Sequence, residues 1–265
     1  LQESIIQTVK NYNPDLVLLG HADKVHVQTL EKIKKINNDI KIAEWNVDNF
    51  LLDNTKNKLK HRSQFLDGIF STTADKILHE CVSKNFITFF PNIVDSTVEK
   101  MKIFELNNHT NDIFFALSHG VGTGKLRNKN KNKELNDRRV IFAKKIKINN
   151  DIKCNFFGFD NIQPVWASEF NKEIQSCFMG LCLQRKPQLK YCLSDRLSQY
   201  GGNGLMLFIE RDTKYYDFLR DKVEAVYFDD SDDLINKINY FKLNKNEALT
   251  IASNGHQKMH KFCNE

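Results

Sequence analysis

Short apolar runs alternate with longer amphipathic segments along the chain, a pattern typical of repeated strand–helix units built on parallel sheets. Most of these runs are apolar at consecutive positions, as expected when helices cover both faces of a sheet. In the first third we predict strands at 15–20, 40–45, 68–71 and 86–90 and helices at 1–12, 27–36, 54–65 and 74–81. Pro91 then interrupts the pattern, because proline stops a strand. We therefore predict two domains, 1–93 and 94–265.

The second domain repeats the alternation. Its predicted strands are 112–117, 151–157, 177–183, 204–209 and 225–228. Its predicted helices are 137–148, 167–175, 194–200, 214–219, 231–240 and 245–262, and the last of these could cross back to the first domain. The simplest architecture is α/β, with two doubly wound, Rossmann-like domains facing a cleft. In such sheets ligands bind beyond the carboxyl ends of the strands.

Composition and charge narrow the class of protein. The chain has 265 residues, 41% of them apolar, and a formal net charge of +6. Much of the lysine lies in one asparagine-rich stretch, 125–147, so we interpret the excess as a local cationic loop or a solvated surface and expect no nucleic-acid partner. No apolar run approaches the ~20 residues that span a bilayer. A cytoplasmic protein with free, buried cysteines is expected, and because the sequence opens within a predicted helix, we expect the first domain to be incomplete.

The strongest local signal is the run SDRLSQYGGNG at 194–204, which precedes an apolar strand. Ser194 is a good N-cap and Asp195 suits a first turn, so a helix is expected to begin there with its free amides pointing beyond the sheet. Such a helix start can hold a diphosphate, and Arg196 could add a bidentate contact. The alternative is an ordinary capped helix with a surface arginine and a glycine-rich turn.

Several segments in order resemble GT-B glycosyltransferases, in particular the group related to spore-maturation-type enzymes. The run 196–209 is similar to their arginine-containing helix, small-residue turn and buried strand. An aromatic–acidic loop at 215–219, the strand end VYFDD, a helix and the closing IASNG run follow in the family's order. The run PNIVD at 91–95 resembles the interdomain connection of these enzymes. The likeness is weak before Phe90 and clear from Asp112 onward.

The resemblance implies a GT-B fold and transfer of a sugar from a nucleotide-diphosphate donor, UDP- or GDP-linked, to a glycan, lipid-linked or other hydroxyl acceptor. It places Gly120, Gly122 and Lys125, in a glycine-containing loop, against the donor phosphates. It places Pro164 and Val165 at the nucleotide base. The residues expected to bind the donor from the helical segment are Ser194, Asp195, Arg196, Gln199 and Asn203. No metal or other cofactor is obligatory in this scheme, because helix amides and cationic side chains would balance the charge of the diphosphate.

One departure from the family bears on mechanism. Many retaining GT-B enzymes carry two glutamates with seven residues between them, the second of which contacts the ribose, and the matching positions here are Tyr191 and Gln199. Gln199 can still donate or accept a hydrogen bond. The stereochemical course stays open, and so does catalytic activity: the alternatives are an inactive nucleotide-sugar-binding protein and a nucleotide-sugar epimerase.

Three side chains are candidates for catalysis. His21 and Asp48 follow predicted strands of the first domain and could deprotonate an acceptor hydroxyl. His119, beside the glycine loop, could steady the donor phosphate as the sugar bond breaks. Each has an ordinary alternative as a cap or turn residue. The lysine-rich run at 125–133 could form a lid, contact an acidic membrane surface at the inner face of the membrane, or remain a solvated loop. A role in cell-surface glycan biosynthesis is the expected setting.

Overall fold

Two parallel sheets, each flanked by helices, make up the computed structural model. It describes residues 1–20, 22, 24–47, 53–82, 86–118, 137–185, 189–192 and 194–263, with side chains throughout except at 53–55 and 81. The chain divides into unit 1, residues Leu1–Pro91 with Leu189–Cys192, and unit 2, residues Asn92–Gln188 with Leu193–Glu265. The α/β class with two Rossmann-like units is confirmed.

Unit 1 contains a four-stranded parallel sheet in the order β1-β2-β3-β4. Its strands are β1 (Leu16–Leu19), β2 (Lys41–Asn46), β3 (Gly68–Ser71) and β4 (Phe86–Phe89). Its helices are α1 (Gln2–Tyr12), α2 (Val27–Ile36), α3 (Asp53–Ser63) and α4 (Ile77–Cys81). These elements match the predicted ones to within a few residues.

The core of unit 1 lies on one face of this sheet. Ile42 and Ile69 pack there with Leu30 and Ile33 of α2 and Leu59 of α3, all fully buried. On the opposite face Leu16 and Leu18 of the edge strand are exposed. The sequential strand order explains this asymmetry, because right-handed crossovers that always advance in one direction place every helix on the same side.

Unit 2 contains a five-stranded parallel sheet in the order β6-β5-β7-β8-β9. Its strands are β5 (Ile113–Ala116), β6 (Cys154–Phe157), β7 (Met179–Cys182), β8 (Met206–Glu210) and β9 (Val226–Phe228). Its helices are α5 (Arg138–Lys147), α6 (Ala167–Gln175), α7 (Arg196–Gly202), α8 (Ser231–Leu243) and α9 (Lys245–Phe262).

The strand order of unit 2 reverses beside β5: the chain moves outward to β6, then returns to place β7 on the other side. β5 and β7 pair only at Ile113↔Met179 and Phe114↔Gly180, whereas β5 and β6 pair along four residues. The two central strands therefore diverge toward their carboxyl ends. A crevice at such a reversal is the usual ligand position in open α/β sheets.

Two sequence predictions about unit 2 are wrong. The predicted helix 214–219 is replaced by two short 3-10 turns, Arg211–Thr213 and Tyr215–Asp217, separated by Lys214 in a left-handed conformation with φ 54°. Ser194 is not the cap of α7: the helix begins at Arg196, and Asp195 precedes it without a side-chain capping bond. Serine is a favourable cap residue by type, but the Ser194 hydroxyl accepts from Nη1 of Arg196 instead.

The described cysteines 154, 177, 182, 192 and 263 are free, and all but Cys154 are buried. Burial raises the pKa of the Cys182 thiol to about 12, so this thiol is protonated and unreactive at neutral pH. Within the described ranges, no helix combines the length and apolar character needed to cross a bilayer.

Candidate functional site

A cavity of about 490 Å³ opens at the carboxyl edge of the unit 2 sheet, where β5 and β7 diverge. Its floor is the end of β5 and the following residues, one wall is α7, and the opposite wall is the start of α6. The lining residues are Val98, Glu99, Ala116, Leu117, Ser118, Val165, Trp166, Ala167, Phe170, Asn171, Ser194, Asp195, Arg196, Gln199, Tyr200 and Asn203. The cavity therefore lies where the switch-point rule expects a ligand.

Two side chains of α7 hold the backbone of Ala116. Its N–H donates to the phenol oxygen of Tyr200 at 3.0 Å, and its carbonyl accepts from Nε of Arg196 at 2.8 Å. Both bonds compensate for the pairing that β5 loses when it separates from β7. One helix thus fixes the end of the central strand at the floor of the cavity.

Arg196 is half-buried and lies with its guanidinium carbon 5.4 Å from the ring centre of Phe115. Besides the bond to Ala116, its Nη1 donates to the hydroxyl of Ser194 at 2.7 Å. No carboxylate of the described residues forms an ion pair with this guanidinium, and burial lowers its pKa, although an arginine still stays protonated at neutral pH. Arg196 therefore brings to the cavity a fixed positive charge that no carboxylate in the described part of the chain pairs with.

The other predicted residues of this segment divide into two groups. Ser194, Asp195 and Gln199 line the cavity, and the Gln199 side chain makes no hydrogen bond with a described residue. Asn203 also lines the cavity, but it is buried and its side chain is hydrogen-bonded within the protein. Its amide oxygen accepts from the N–H of Met101, and its amide nitrogen donates to the carbonyl of Gln199. Asn203 therefore holds the preceding loop on α7.

α7 is only seven residues long. A helix macrodipole of two turns is weak, so the guanidinium of Arg196 is the main positive charge in the described cavity. The helix start predicted to hold a diphosphate thus contributes less than the arginine beside it.

The wall formed by α6 supplies apolar surface. Val165 lines the cavity with Trp166 and Phe170, whereas Pro164 is not among the lining residues. Trp166 is 67% exposed, an unusual position for a tryptophan. Ala167 adopts a left-handed φ of 49°, which costs an L residue about 1 kcal/mol. Strain of this kind accumulates at binding sites.

Sequence reasoning missed Glu99 and Tyr200 as site residues. Glu99 reaches the cavity from a loop about a hundred residues before α7, and no local motif marks it. Tyr200 did carry a signal. A Cβ on Gly180 would lie 2.9 Å from the Tyr200 ring, and a glycine inside a strand often marks such a close approach.

The remaining candidates fall outside the described residues. These are the catalytic candidates His21, Asp48 and His119 and the loop residues Gly120, Gly122 and Lys125. Their roles stay predictions. Within the described part of the chain, no group of three or more metal-ligating side chains lies together.

Comparison with known proteins agrees with this geometry. The model of the glycosyl transferase-like family matches residues 138–263, a range that contains Arg196, α7 and much of the cavity wall. The matched segment makes up most of unit 2, and unit 2 is therefore similar to a glycosyl transferase-like domain. The spore-maturation-type subgroup stays a prediction, and no curated protein matches the chain.

Solved structures extend the likeness to nearly the full length of the chain. HepE of Anabaena, crystallised with UDP and glucose, is 13% identical over 99% of this chain and 77% of its own, with a TM-score of 0.64. Sucrose-phosphate synthase of Thermosynechococcus elongatus is 8% identical over 99% and 73%, also with a TM-score of 0.64. A glycosyltransferase of Rickettsia africae is 12% identical over 99% and 76%, with a TM-score of 0.62. At these identities the similarity establishes the fold.

Proposed function

We propose that the unit 2 cavity binds the diphosphate of a nucleoside diphosphate sugar and that the protein transfers the sugar to a hydroxyl acceptor. The observation that carries this proposal is Arg196: a half-buried guanidinium, fixed by Ala116 and Ser194, that lines the cavity without a described carboxylate partner. A diphosphate is the kind of ligand that such a charge suits. HepE, which shares the fold, was crystallised with UDP-glucose.

The transfer itself needs charge stabilisation on the leaving group. The acceptor oxygen forms a bond to the anomeric carbon, the bond from that carbon to the diphosphate oxygen breaks, and the diphosphate leaves with the electron pair. Arg196 would stabilise the growing negative charge, because a fixed cation in a half-buried site needs little reorganisation. The acceptor proton passes to a base, for which His21 and Asp48 are the candidates, while His119 is a candidate phosphate contact.

The apolar wall favours a planar group at the other end of the ligand. Val165, Trp166 and Phe170 provide surface against which a nucleotide base can pack. UDP and GDP both remain candidate donors. The proposed acceptor is a glycan or a lipid-linked hydroxyl, with the protein working in the cytoplasm or at the inner face of a membrane in cell-surface glycan assembly.

A second candidate function is nucleotide-sugar binding without turnover. The observation that favours it is the absence of carboxylates at Tyr191 and Gln199, where the GT-B resemblance expects glutamates.

Turnover measured on a panel of UDP- and GDP-sugars tests the proposal. We expect release of UDP or GDP by the purified protein and a loss of at least about tenfold in Arg196→Ala, since charged hydrogen bonds contribute about 1.5–3 kcal/mol. Lys172→Ala is the matched control, because Lys172 is an exposed cation on α6 that does not line the cavity. Tight nucleotide binding without release would support the binding protein instead, and release that is equal in both variants would contradict a role for Arg196.

A further inference from the structure

Glu99 lines the same cavity, at the end of α7 away from Arg196. A Cβ on Gly202, the last residue of α7, would lie 2.8 Å from Cβ of Glu99, so Glu99 packs against the end of the helix whose start holds Arg196. The six residue steps from Arg196 to Gly202 correspond to about 9 Å along a helix axis. Two side chains of opposite charge that line the cavity therefore lie at opposite ends of α7, the cation at its start and the carboxylate at its end.

A tight turn fixes one oxygen of this carboxylate. Oε2 of Glu99 accepts the backbone N–H of Asp95 at 2.9 Å, and the N–H of Glu99 donates to the carbonyl of Asp95 at 2.7 Å. Thr97 completes the turn through two bonds to the Asp95 carboxylate. Among the described residues, Oε1 of Glu99 has no hydrogen-bond donor. Its lone pairs are available to a ligand.

Burial raises the pKa of the half-buried Glu99 carboxyl, and the hydrogen bond from the Asp95 N–H and the charge of nearby His260 act in the opposite direction. Neutral donors satisfy such a carboxylate well, because each hydrogen bond from a hydroxyl stabilises the charged form. A phosphate would be repelled from it, which restricts an anionic ligand to the Arg196 end. Gln199, between the two ends, offers an uncommitted amide.

We infer that Glu99 accepts hydrogen bonds from the vicinal ribose hydroxyls of the nucleotide, a specificity role that rests on the proposed function. In a nucleoside diphosphate the ribose lies between the diphosphate and the base, so a diphosphate at Arg196 and a base against Val165 and Trp166 leave the ribose inside the cavity that Glu99 also lines. Glu99 selects ribonucleotides over their deoxy analogues.

The turn-closing bond to Asp95 is a purely structural alternative, and two variants separate it from ligand binding. Glu99→Gln retains an oxygen that can accept from the Asp95 N–H but removes the charge and one acceptor. Thr97→Ala removes a side-chain bond of the same turn and leaves the cavity lining unchanged. A role confined to the turn predicts that both variants alter nucleotide affinity without altering selectivity.

Calorimetric titration with UDP, GDP and their 2′-deoxy and 3′-deoxy analogues tests the inference. The unaltered protein should bind a ribonucleotide about tenfold or more tightly than at least one deoxy analogue, since a lost bond to a charged acceptor has that size. In Glu99→Gln the ratio should fall below about threefold, whereas Thr97→Ala should keep it. A ratio unchanged in Glu99→Gln, or no discrimination by the unaltered protein, would overturn the inference alone. Failure of the unaltered protein to bind any of these nucleotides would overturn the proposed function as well.

Discussion

The phenol oxygen of Tyr200 accepts the backbone N–H of Ala116 at 3.0 Å, joining the middle of α7 to the end of β5. Tyr200 is fully buried and packs edge-on against Phe114 with ring centres 5.3 Å apart. Because β5 has separated from β7 at this level, this phenol replaces a ladder hydrogen bond. The floor of the cavity therefore depends on this hydroxyl as well as on the bond from Arg196 to the Ala116 carbonyl.

Tyr200→Phe should lower the free energy of unfolding of unit 2 by about 1–3 kcal/mol, because the Ala116 N–H loses its acceptor in a buried setting. Urea denaturation followed by circular dichroism measures the change. Tyr216→Phe is the matched control: this ring is 38% exposed, so we expect a change within about 0.5 kcal/mol. Equal stability of Tyr200→Phe and the unaltered protein would show that the bond contributes nothing.

Arg196→Lys should weaken binding of UDP or GDP about tenfold or more, and Arg196→Ala should weaken it further. A lysine keeps the charge, but it cannot bond Ala116 and Ser194 while presenting a second planar N–H edge to a phosphate. Calorimetric titration gives the affinities, and thermal melting checks that each variant is folded. If Arg196→Lys bound the nucleotide as tightly as the unaltered protein does, the charge alone would account for the affinity and the fixed geometry of the guanidinium would not contribute.

Gly255→Ala should destabilise unit 2 by about 1–3 kcal/mol through overpacking. A Cβ at Gly255 would lie 2.3 Å from the carbonyl oxygen of Glu224, a backbone atom that cannot move aside as a flexible side chain would. Asn254→Ala, at the exposed neighbouring position of α9, is the control in the same urea experiment. If Gly255→Ala were as stable as the unaltered protein in urea, α9 would be able to shift away from Glu224 without a loss of stability.

His109→Gln should reduce the loss of stability between pH 7.5 and pH 5.5. Burial, followed by the nearby Lys245, lowers the pKa of His109, and its Nδ1 has no hydrogen-bond partner among the described residues. As the pH falls through about 6.5, the unfolded chain takes up a proton that the folded protein refuses, so unfolding is favoured. Glutamine can replace the bond from Nε2 to the Ile103 carbonyl without titrating.

Urea midpoints and slopes at the two pH values give this difference, and contributions from other groups cancel between the two proteins. A fall in stability that is as large in His109→Gln as in the unaltered protein would rule out the histidine as its source.

Local pattern was sufficient to predict most of the fold. Apolar runs bounded by polar turns predicted the strands because a buried parallel strand must be hydrophobic on both faces, as in β7 and β8, whose residues are all buried. The helix predicted at 214–219 failed because Lys214 adopts a left-handed conformation that no α-helix accommodates. The cap expected at Ser194 failed because its hydroxyl accepts from Arg196 instead.

The site could be predicted only where its residues are close in sequence. Arg196 and Gln199 lie on one helix beside a glycine-rich turn, and that proximity made them visible. Glu99 reaches the end of α7 from a distant loop, and the bonds of Tyr200 and Arg196 to Ala116 join residues about eighty positions apart. Such contacts depend on how the sheet is wound and leave no local pattern in the chain.

The crystal structure of the protein with UDP or GDP bound tests the central claim most directly. We predict that the diphosphate lies in the unit 2 cavity with an oxygen within about 3 Å of the Arg196 guanidinium, the distance of a charged hydrogen bond. A nucleotide bound elsewhere, or a cavity that stays empty at saturating nucleotide, would contradict the account.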